Sequence, residues 1–274
     1  MIGLWFRPNK KIEIAGAQQV TFYSRSLSRE MNYWVVLPQD YQEHPSQQYP
    51  VLYMLHGHGG APIESIQNSH LAEYVRPYHW IVVMPDGKDS YYTNAAERSG
   101  DRFEDYIVQD LISDVESKFR ALPKRSGRML AGISMGGFGA EKIGLRHPEA
   151  YRLIGALSSP ADATRRKFSY RRPVNSYVFW KNFGPMGSQT RRDNDPFLLA
   201  ALPSTNQTVM PFFYLGCGTQ DNLEKVDHQL AKAFEAHHIP HTYREFSGGH
   251  DWRYWDRALQ DVVEEFSRQL ATSN

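Results

Sequence analysis

A single cysteine, Cys217, is all the thiol chemistry this 274-residue sequence has. One thiol excludes an intramolecular disulfide and argues against a thiolate metal site, and it suits a reducing compartment. The expected location is therefore the cytoplasm, since Met1 to Lys11 carries charges but no apolar core of the length a signal peptide needs. Long hydrophobic runs are missing too. Nothing approaches the ~18 consecutive apolar residues of a membrane span, so no membrane partner is expected. An excess of charge of one sign is also absent: 31 Lys plus Arg face 30 Asp plus Glu, a formal net charge of +1. Neither nucleic acid nor a lipid surface is recommended by such a balance, which leaves a small neutral substrate. Repeats, low-complexity tracts and Pro/Gly-rich linkers are lacking, so residues 1–274 are read as one domain. A homo-oligomer is compatible with all of this.

What is present is enough to bury a core, with 41% hydrophobic and 13% aromatic residues. Short β-rich runs alternate with helical patterns. Gln18 to Ser24 and Asn32 to Leu37 read as strands, the second stopped by Pro38. Val51 to Leu55 and Ile81 to Met84 have the short, wholly apolar form of strands buried on both faces of a parallel sheet. Between them Ile63 to Tyr74 predicts one helix, and Tyr106 to Phe119 a second, amphipathic one. Arg128 to Ile133 is the next strand, followed by a helix reaching about His147. Leu153 to Leu157, Pro211 to Leu215 and His241 to Phe246 read as strands, with helices at Leu223 to His237 and Trp255 to Leu270. This alternation predicts an α/β fold with a mostly parallel sheet covered on both faces. The stretch from about 160 to 210 breaks the rhythm with basic clusters (Arg165-Arg166-Lys167, Arg171-Arg172, Arg191-Arg192) and aromatics (Phe168, Tyr170, Tyr177, Phe179, Trp180). A structureless loop of that length is unusual, so a partly helical cap or lid insertion is expected.

The chemistry concentrates at Gly132-Ile133-Ser134-Met135-Gly136-Gly137, a G-x-S-x-G nucleophile elbow between a strand and a helix. Side chains at the flanking glycines would collide with backbone in so tight a turn, while the helix after Ser134 points N–H groups at any oxyanion formed there. A serine hydroxyl needs an adjacent base, itself oriented by an acid, and on this fold the chain order is Ser, acid, His. His250, in Gly248-Gly249-His250 between the last strand and the last helix, is the candidate base; His237, His238 and His241 cluster at a helix end. Asp221, after Gly216-Cys217-Gly218-Thr219-Gln220, falls at the carboxyl edge of the sheet, where such folds gather ligands. Asp227 belongs to the following helix, Asp251 is too close to His250 along the chain, and Cys217 reads as a packed small residue. The Met135 N–H is one expected oxyanion donor, and the other should lie in His56-Gly57-His58-Gly59-Gly60. As zinc ligands His56 and His58 have unsuitable spacing and no nearby Cys or carboxylate, so no metal is expected.

Together these features resemble the esterase D family, which includes S-formylglutathione hydrolases, tributyrin-type and feruloyl-type esterases, and mycolyltransferase relatives. Beyond the elbow the resemblance runs through Ser26-Leu27-Ser28-Arg29-Glu30-Met31, Tyr53-Met54-Leu55-His56-Gly57, Met84-Pro85-Asp86-Gly87, Phe103 to Leu111, Phe183-Gly184-Pro185 and Asn194-Asp195-Pro196. It implies an α/β-hydrolase fold and a serine carboxylesterase needing no cofactor, with Ser134, Asp221 and His250 as the triad and the backbone N–H groups of His58 and Met135 as the oxyanion hole. The His56 to Gly60 loop departs from the S-formylglutathione hydrolase subgroup and looks closer to tributyrin-type and feruloyl-type enzymes. A thioesterase, an acyltransferase and a non-catalytic hydrolase-fold binding protein are the rival readings. Phe179 or Trp180 is expected in the acyl or alcohol pocket, with an Arg pair selecting carboxylate-bearing esters.

Overall fold

The computed structural model describes residues 16–167, 173–202 and 209–272. Its centre is one eight-stranded sheet built from β1 (Ala17–Ser24), β2 (Arg29–Val36), β3 (Val51–Leu55), β4 (Ile81–Pro85), β5 (Arg128–Ile133), β6 (Leu153–Leu157), β7 (Phe212–Gly218) and β8 (His241–Phe246). The spatial order is β1-β2-β4-β3-β5-β6-β7-β8. The first two pairings, β1 with β2 and β2 with β4, are antiparallel, and every later one is parallel.

Alternation along the buried strands divides the core into two layers. On β3, Val51, Tyr53 and Leu55 pack on one face with Phe138 and Ile143, while Leu52 and Met54 pack on the other with Val262 and Phe266. Both faces must be covered, because an apolar strand of this kind has no side to offer water. Helices α1 (Glu64–Gln67), α2 (Leu71–Tyr74), α3 (Phe103–Asp105) and α4 (Ile112–Lys118) precede the elbow, and α5 (Met135–Arg146) follows it. Between β6 and β7 come α6 (Pro173–Phe183), α7 (Gln189–Asp193) and α8 (Pro196–Ala200); α9 (Glu224–Ala236) and α10 (Trp252–Ala271) complete the chain. No helix among the described residues is long and apolar enough to cross a membrane.

The chain leaves β4 on one side of β3 and returns as β5 on the other. Ligands on open α/β sheets gather beyond the carboxyl ends of strands at such a reversal. Here that crevice lies between the loop after β3 and the elbow after β5, with Leu55 opposite Gly132 in the ladder.

Several elements differ from expectation. The single helix predicted over Ile63 to Tyr74 is two short ones, because the Ser69 hydroxyl bonds to the Ser65 carbonyl and accepts from the Leu71 N–H at 3.2 Å. Local side-chain bonds of this kind compete with the helical ladder. The helix expected from Tyr106 begins at Phe103 and passes through a π-helical stretch, Tyr106–Leu111. Helix α10 begins at Trp252 rather than Trp255, capped by the Asp251 carboxylate, which accepts from the Arg253 and Tyr254 N–H groups at 3.0 and 3.2 Å. Strand β7 runs three residues past Leu215, to Gly218.

Candidate active site

Ser134 closes β5 with φ 55° and ψ −117°, a conformation L-residues rarely adopt, and its N–H donates to Leu157 O at 2.8 Å. The turn is sterically exclusive. A Cβ on Gly132 would lie 2.2 Å from Gly136 O, and one on Gly136 would lie 2.2 Å from Leu55 O. Backbone therefore packs on backbone at the elbow, and only glycine permits it. Met135 is the first residue of α5, so its N–H has no carbonyl within the helix to bond and faces outward from the positive end of the helix dipole.

The loop after β3 lies directly on this turn, with the Cβ position of Gly57 3.5 Å from Ser134 Cβ. His56 anchors it from below. Its buried ring places Nδ1 2.8 Å from Gly57 O and receives the Gly87 N–H on Nε2 at 2.9 Å, while the Tyr92 hydroxyl donates to its carbonyl at 3.0 Å. Burial lowers the His56 pKa, and these partners fix it as the neutral, Nδ1-protonated tautomer, so neither nitrogen is free for a metal. On the far side of the loop the Gly59 N–H donates to Asp89 Oδ1 at 2.8 Å. His58, between these two anchors, lines the same pocket as Ser134.

Asp221 and His250 come from two loops fastened together beyond β7 and β8. The Thr219 N–H donates to Phe246 O at 3.0 Å and the Gln220 N–H to Gly248 O at 2.9 Å. His250 Nδ1 then lies 2.8 Å from Asp221 Oδ2, and His250 Nε2 lies 3.0 Å from Ser134 Oγ. The other oxygen, Asp221 Oδ1, accepts the Leu223 N–H at 2.9 Å. Burial opposes ionisation of Asp221, but the hydrogen bonds from His250 and the Leu223 amide outweigh it and hold the carboxyl below the usual aspartate range. Ser158 supports the same charge and is itself held by Trp255 Nε1–H at 3.1 Å. The Trp255 ring meets the His250 imidazole edge to face, with centroids 4.9 Å apart.

A pocket of about 240 Å³ opens beside Ser134, with His58, Glu64, His250, Trp252 and Trp255 among its walls. Ser134, His250, Asp221, His58 and Met135 are thus brought together. Phe179 and Trp180 do not line this pocket: Phe179 is buried against Tyr91 and Phe183, and Trp180 is exposed and stacked on Tyr177. The described arginines of the 160–210 segment are engaged locally. Arg165 forms a two-pronged pair with Asp195, Arg166 pairs with Asp162, and the buried Arg191 donates to Gly184 O and Thr164 O. Phe168, Tyr170, Arg171 and Arg172 lie outside the described residues.

The other acids considered are placed elsewhere. Asp227 accepts the Ser159 N–H at 3.0 Å, and Asp251 caps α10. Cys217 is buried beside Asp227, and burial together with that neighbouring carboxyl pushes its thiol far above the usual range, so it stays protonated. Among the described residues, metal-type ligand atoms converge at Glu224, His228 and Glu245, on α9 and β8 and away from Ser134. Sequence reasoning missed Glu64, Trp252, Trp255 and Ser158. The spacing of Trp252 and Trp255 behind His250 was the available signal, since residues two and five places after a base on a helix N-terminus remain close to it.

Comparison with known proteins places this geometry in context. A family model described as "Putative esterase" matches residues 24–266. An acetyl esterase of Caldicellulosiruptor saccharolyticus is 27% identical over 267 residues, covering 91% of this chain and 97% of that one. Among solved structures, the fluorophosphonate-binding serine hydrolase F of Staphylococcus aureus superposes with a TM-score of 0.80 at 22% identity, covering 91% of this chain and 97% of that one. An S-formylglutathione hydrolase of Staphylococcus aureus gives 0.75 at 22% identity, covering 91% and 98%. At such identity the structural likeness speaks for the fold, which is that of α/β-hydrolases.

Proposed function

The chain belongs to the esterase family, and from that premise we propose that it hydrolyses small acyl or aryl esters through an acyl-enzyme on Ser134. The observation that carries the reading is the pair of contacts made by one imidazole, 3.0 Å to Ser134 Oγ and 2.8 Å to Asp221 Oδ2. Ser134 Oγ attacks the ester carbonyl as its proton passes to His250 Nε2, and Asp221 holds the imidazolium that results. The tetrahedral oxyanion is received by the N–H groups of His58 and Met135, since preorganised donors stabilise the charge as it develops. Collapse expels the alcohol with the proton from His250. Water then attacks the acyl-enzyme with His250 again as base, releasing the acid and restoring Ser134.

A small acyl group such as acetyl suits a pocket of about 240 Å³ and agrees with the acetyl esterase similar over nearly its full length. The segment 160–210 is assigned to a cap on a single α/β domain, and the cytoplasm to the protein's location, in keeping with a lone buried thiol. The test is labelling by a fluorophosphonate, followed by a panel of nitrophenyl esters of graded chain length, methyl ferulate and one glutathione thioester. Label on Ser134 alone, lost in Ser134→Ala, with turnover of short esters, is the expected result. Label on another residue, or a clear preference for the thioester, overturns the assignment.

A further inference from the structure

Glu64 opens α1 and contributes to the wall of the pocket that holds Ser134. Its carboxylate packs on the backbone of the loop after β3: a Cβ on Gly60 would lie 2.7 Å from Glu64 Oε2, so glycine there leaves the room this oxygen occupies. The group is half-buried. Burial raises its pKa, with a partial offset from a hydrogen bond to the Ala61 backbone, and no charged neighbour contributes. The rest of the pocket explains why this matters. Its described lining includes His56, His58 and His250 but no Lys or Arg, and apart from Glu64 no acid. A carboxylate with no cationic partner among the described residues, set in a lining with Trp252, Trp255 and loop backbone, keeps hydrogen-bonding capacity that those residues do not use.

We propose that Glu64 is the specificity-determining residue of this pocket, turning away esters whose pocket-filling group bears a carboxylate and accepting groups that present a hydroxyl donor or a cationic face beside the indole of Trp252. The inference rests on the Ser134 esterase reading and adds to it a substrate class. Like charges a few ångströms apart in a half-buried site repel far more than the same pair in water, whereas a donor gains a charge-assisted bond and an aromatic wall suits either a sugar-like or a cationic face. It also reverses the expectation that cap arginines favour anionic esters, since none of the described ones reaches the pocket.

The test compares kcat/KM, at one alkaline pH, in two matched series. The alcohol series is phenyl acetate with its 4-carboxy, 4-hydroxymethyl and 4-trimethylammonio derivatives; the acyl series is the nitrophenyl ester of pentanoic acid against that of hemiglutaric acid. Wild type should disfavour the anionic member by at least about tenfold in one series, chiefly through KM, and the discrimination should persist at high salt. Glu64→Gln should bring that ratio to within about twofold, with the hydroxymethyl arm reading the loss of a charge-assisted hydrogen bond and the trimethylammonio arm, which has no N–H, reading the loss of charge attraction alone. Glu73→Gln, an exposed acid on α2 outside the pocket, should leave the ratio unmoved. Fluorophosphonate labelling of Ser134 checks that each variant is folded. An unaltered ratio in Glu64→Gln, or an equal change in Glu73→Gln, overturns the role of Glu64 while the esterase reading stands. Wild type inert toward every neutral ester overturns both.

Discussion

Replacing Asp221 by asparagine keeps the shape of the side chain and should still abolish most turnover, for a reason visible in its two hydrogen bonds. Oδ1 accepts the Leu223 N–H at 2.9 Å and Oδ2 faces His250 Nδ1 at 2.8 Å. An asparagine must choose which side receives its oxygen. Placing the NH2 toward Leu223 sets donor against donor in a buried turn, so the oxygen goes there and the NH2 faces His250. His250 Nδ1 then has to accept, its proton moves to Nε2, and Nε2 can no longer take the proton of Ser134 Oγ 3.0 Å away. A wrong tautomer of this kind costs about 10⁴-fold in kcat, roughly 5.5 kcal/mol of transition-state stabilisation. Stopped-flow acylation with nitrophenyl acetate measures it, and Asp221→Ala, which leaves the tautomer free, is the control. The reasoning requires Asp221→Asn to be at least as impaired as Asp221→Ala. An asparagine variant within about tenfold of wild type, or markedly faster than the alanine variant, refutes the orienting role and the tautomer argument together.

Other consequences concern stability. Ser134 sits at φ 55°, ψ −117°, strain of order 1–3 kcal/mol that alanine shares and glycine escapes, so Ser134→Gly should resist urea better than Ser134→Ala by about 1 kcal/mol, both being inactive. Glu141 is fully buried beside Asp227, and burial pushes its pKa from 4.5 up to about 8 although the Ser159 hydroxyl donates to it at 2.7 Å. Between those two values the unfolded chain loses the proton and the folded one keeps it, so stability falls as pH rises through this window. Glu141→Gln, which retains the acceptor for Ser159, should therefore gain in Tm over wild type between about pH 5 and about pH 9; a constant difference contradicts the assignment. Arg191→Ala leaves the buried carbonyls of Gly184 and Thr164 without their donor and should lower stability by about 2–3 kcal/mol while leaving the preference between neutral and anionic esters unchanged.

Some of this molecule was legible because its constraints are local. The elbow is contiguous in sequence, and the clash of Gly132 and Gly136 with backbone leaves no substitute for glycine, so the motif declares itself. Chain order and turns at the carboxyl edge of the sheet, which parallel strands place at the same end, point to Asp221 and His250 as the candidates. Strand limits were legible to within a few residues wherever apolar runs met Gly or Pro. Irregularities inside helices were not. The split after Gln67 depends on a hydroxyl at Ser69 choosing backbone partners, and the π-helical stretch at Tyr106–Leu111 puts Asp110 where it receives the Ser24 hydroxyl and the Ser26 N–H, long-range partners that no local pattern contains.

The pocket was the least legible part, and the reason is physical. Composition marks a segment as aromatic or basic without saying which way a ring or guanidinium faces. Phe179 turns into a cluster with Tyr91, itself packed on Phe138 and Phe183, where aromatic edge contacts and burial reward it more than a half-solvated wall would. Arg191 turns inward because folding the segment between β6 and β7 leaves carbonyls that need donors. Glu64 shows the converse case. By pattern it reads as one more solvated helix acid, but at the first residue of α1 it packs against the loop after β3, where Gly60 leaves room for its carboxylate. The one carboxylate in the described pocket lining thus comes from the start of α1, and its approach to the loop is a tertiary feature, whereas the nucleophile-elbow motif around Ser134 lies in six consecutive residues.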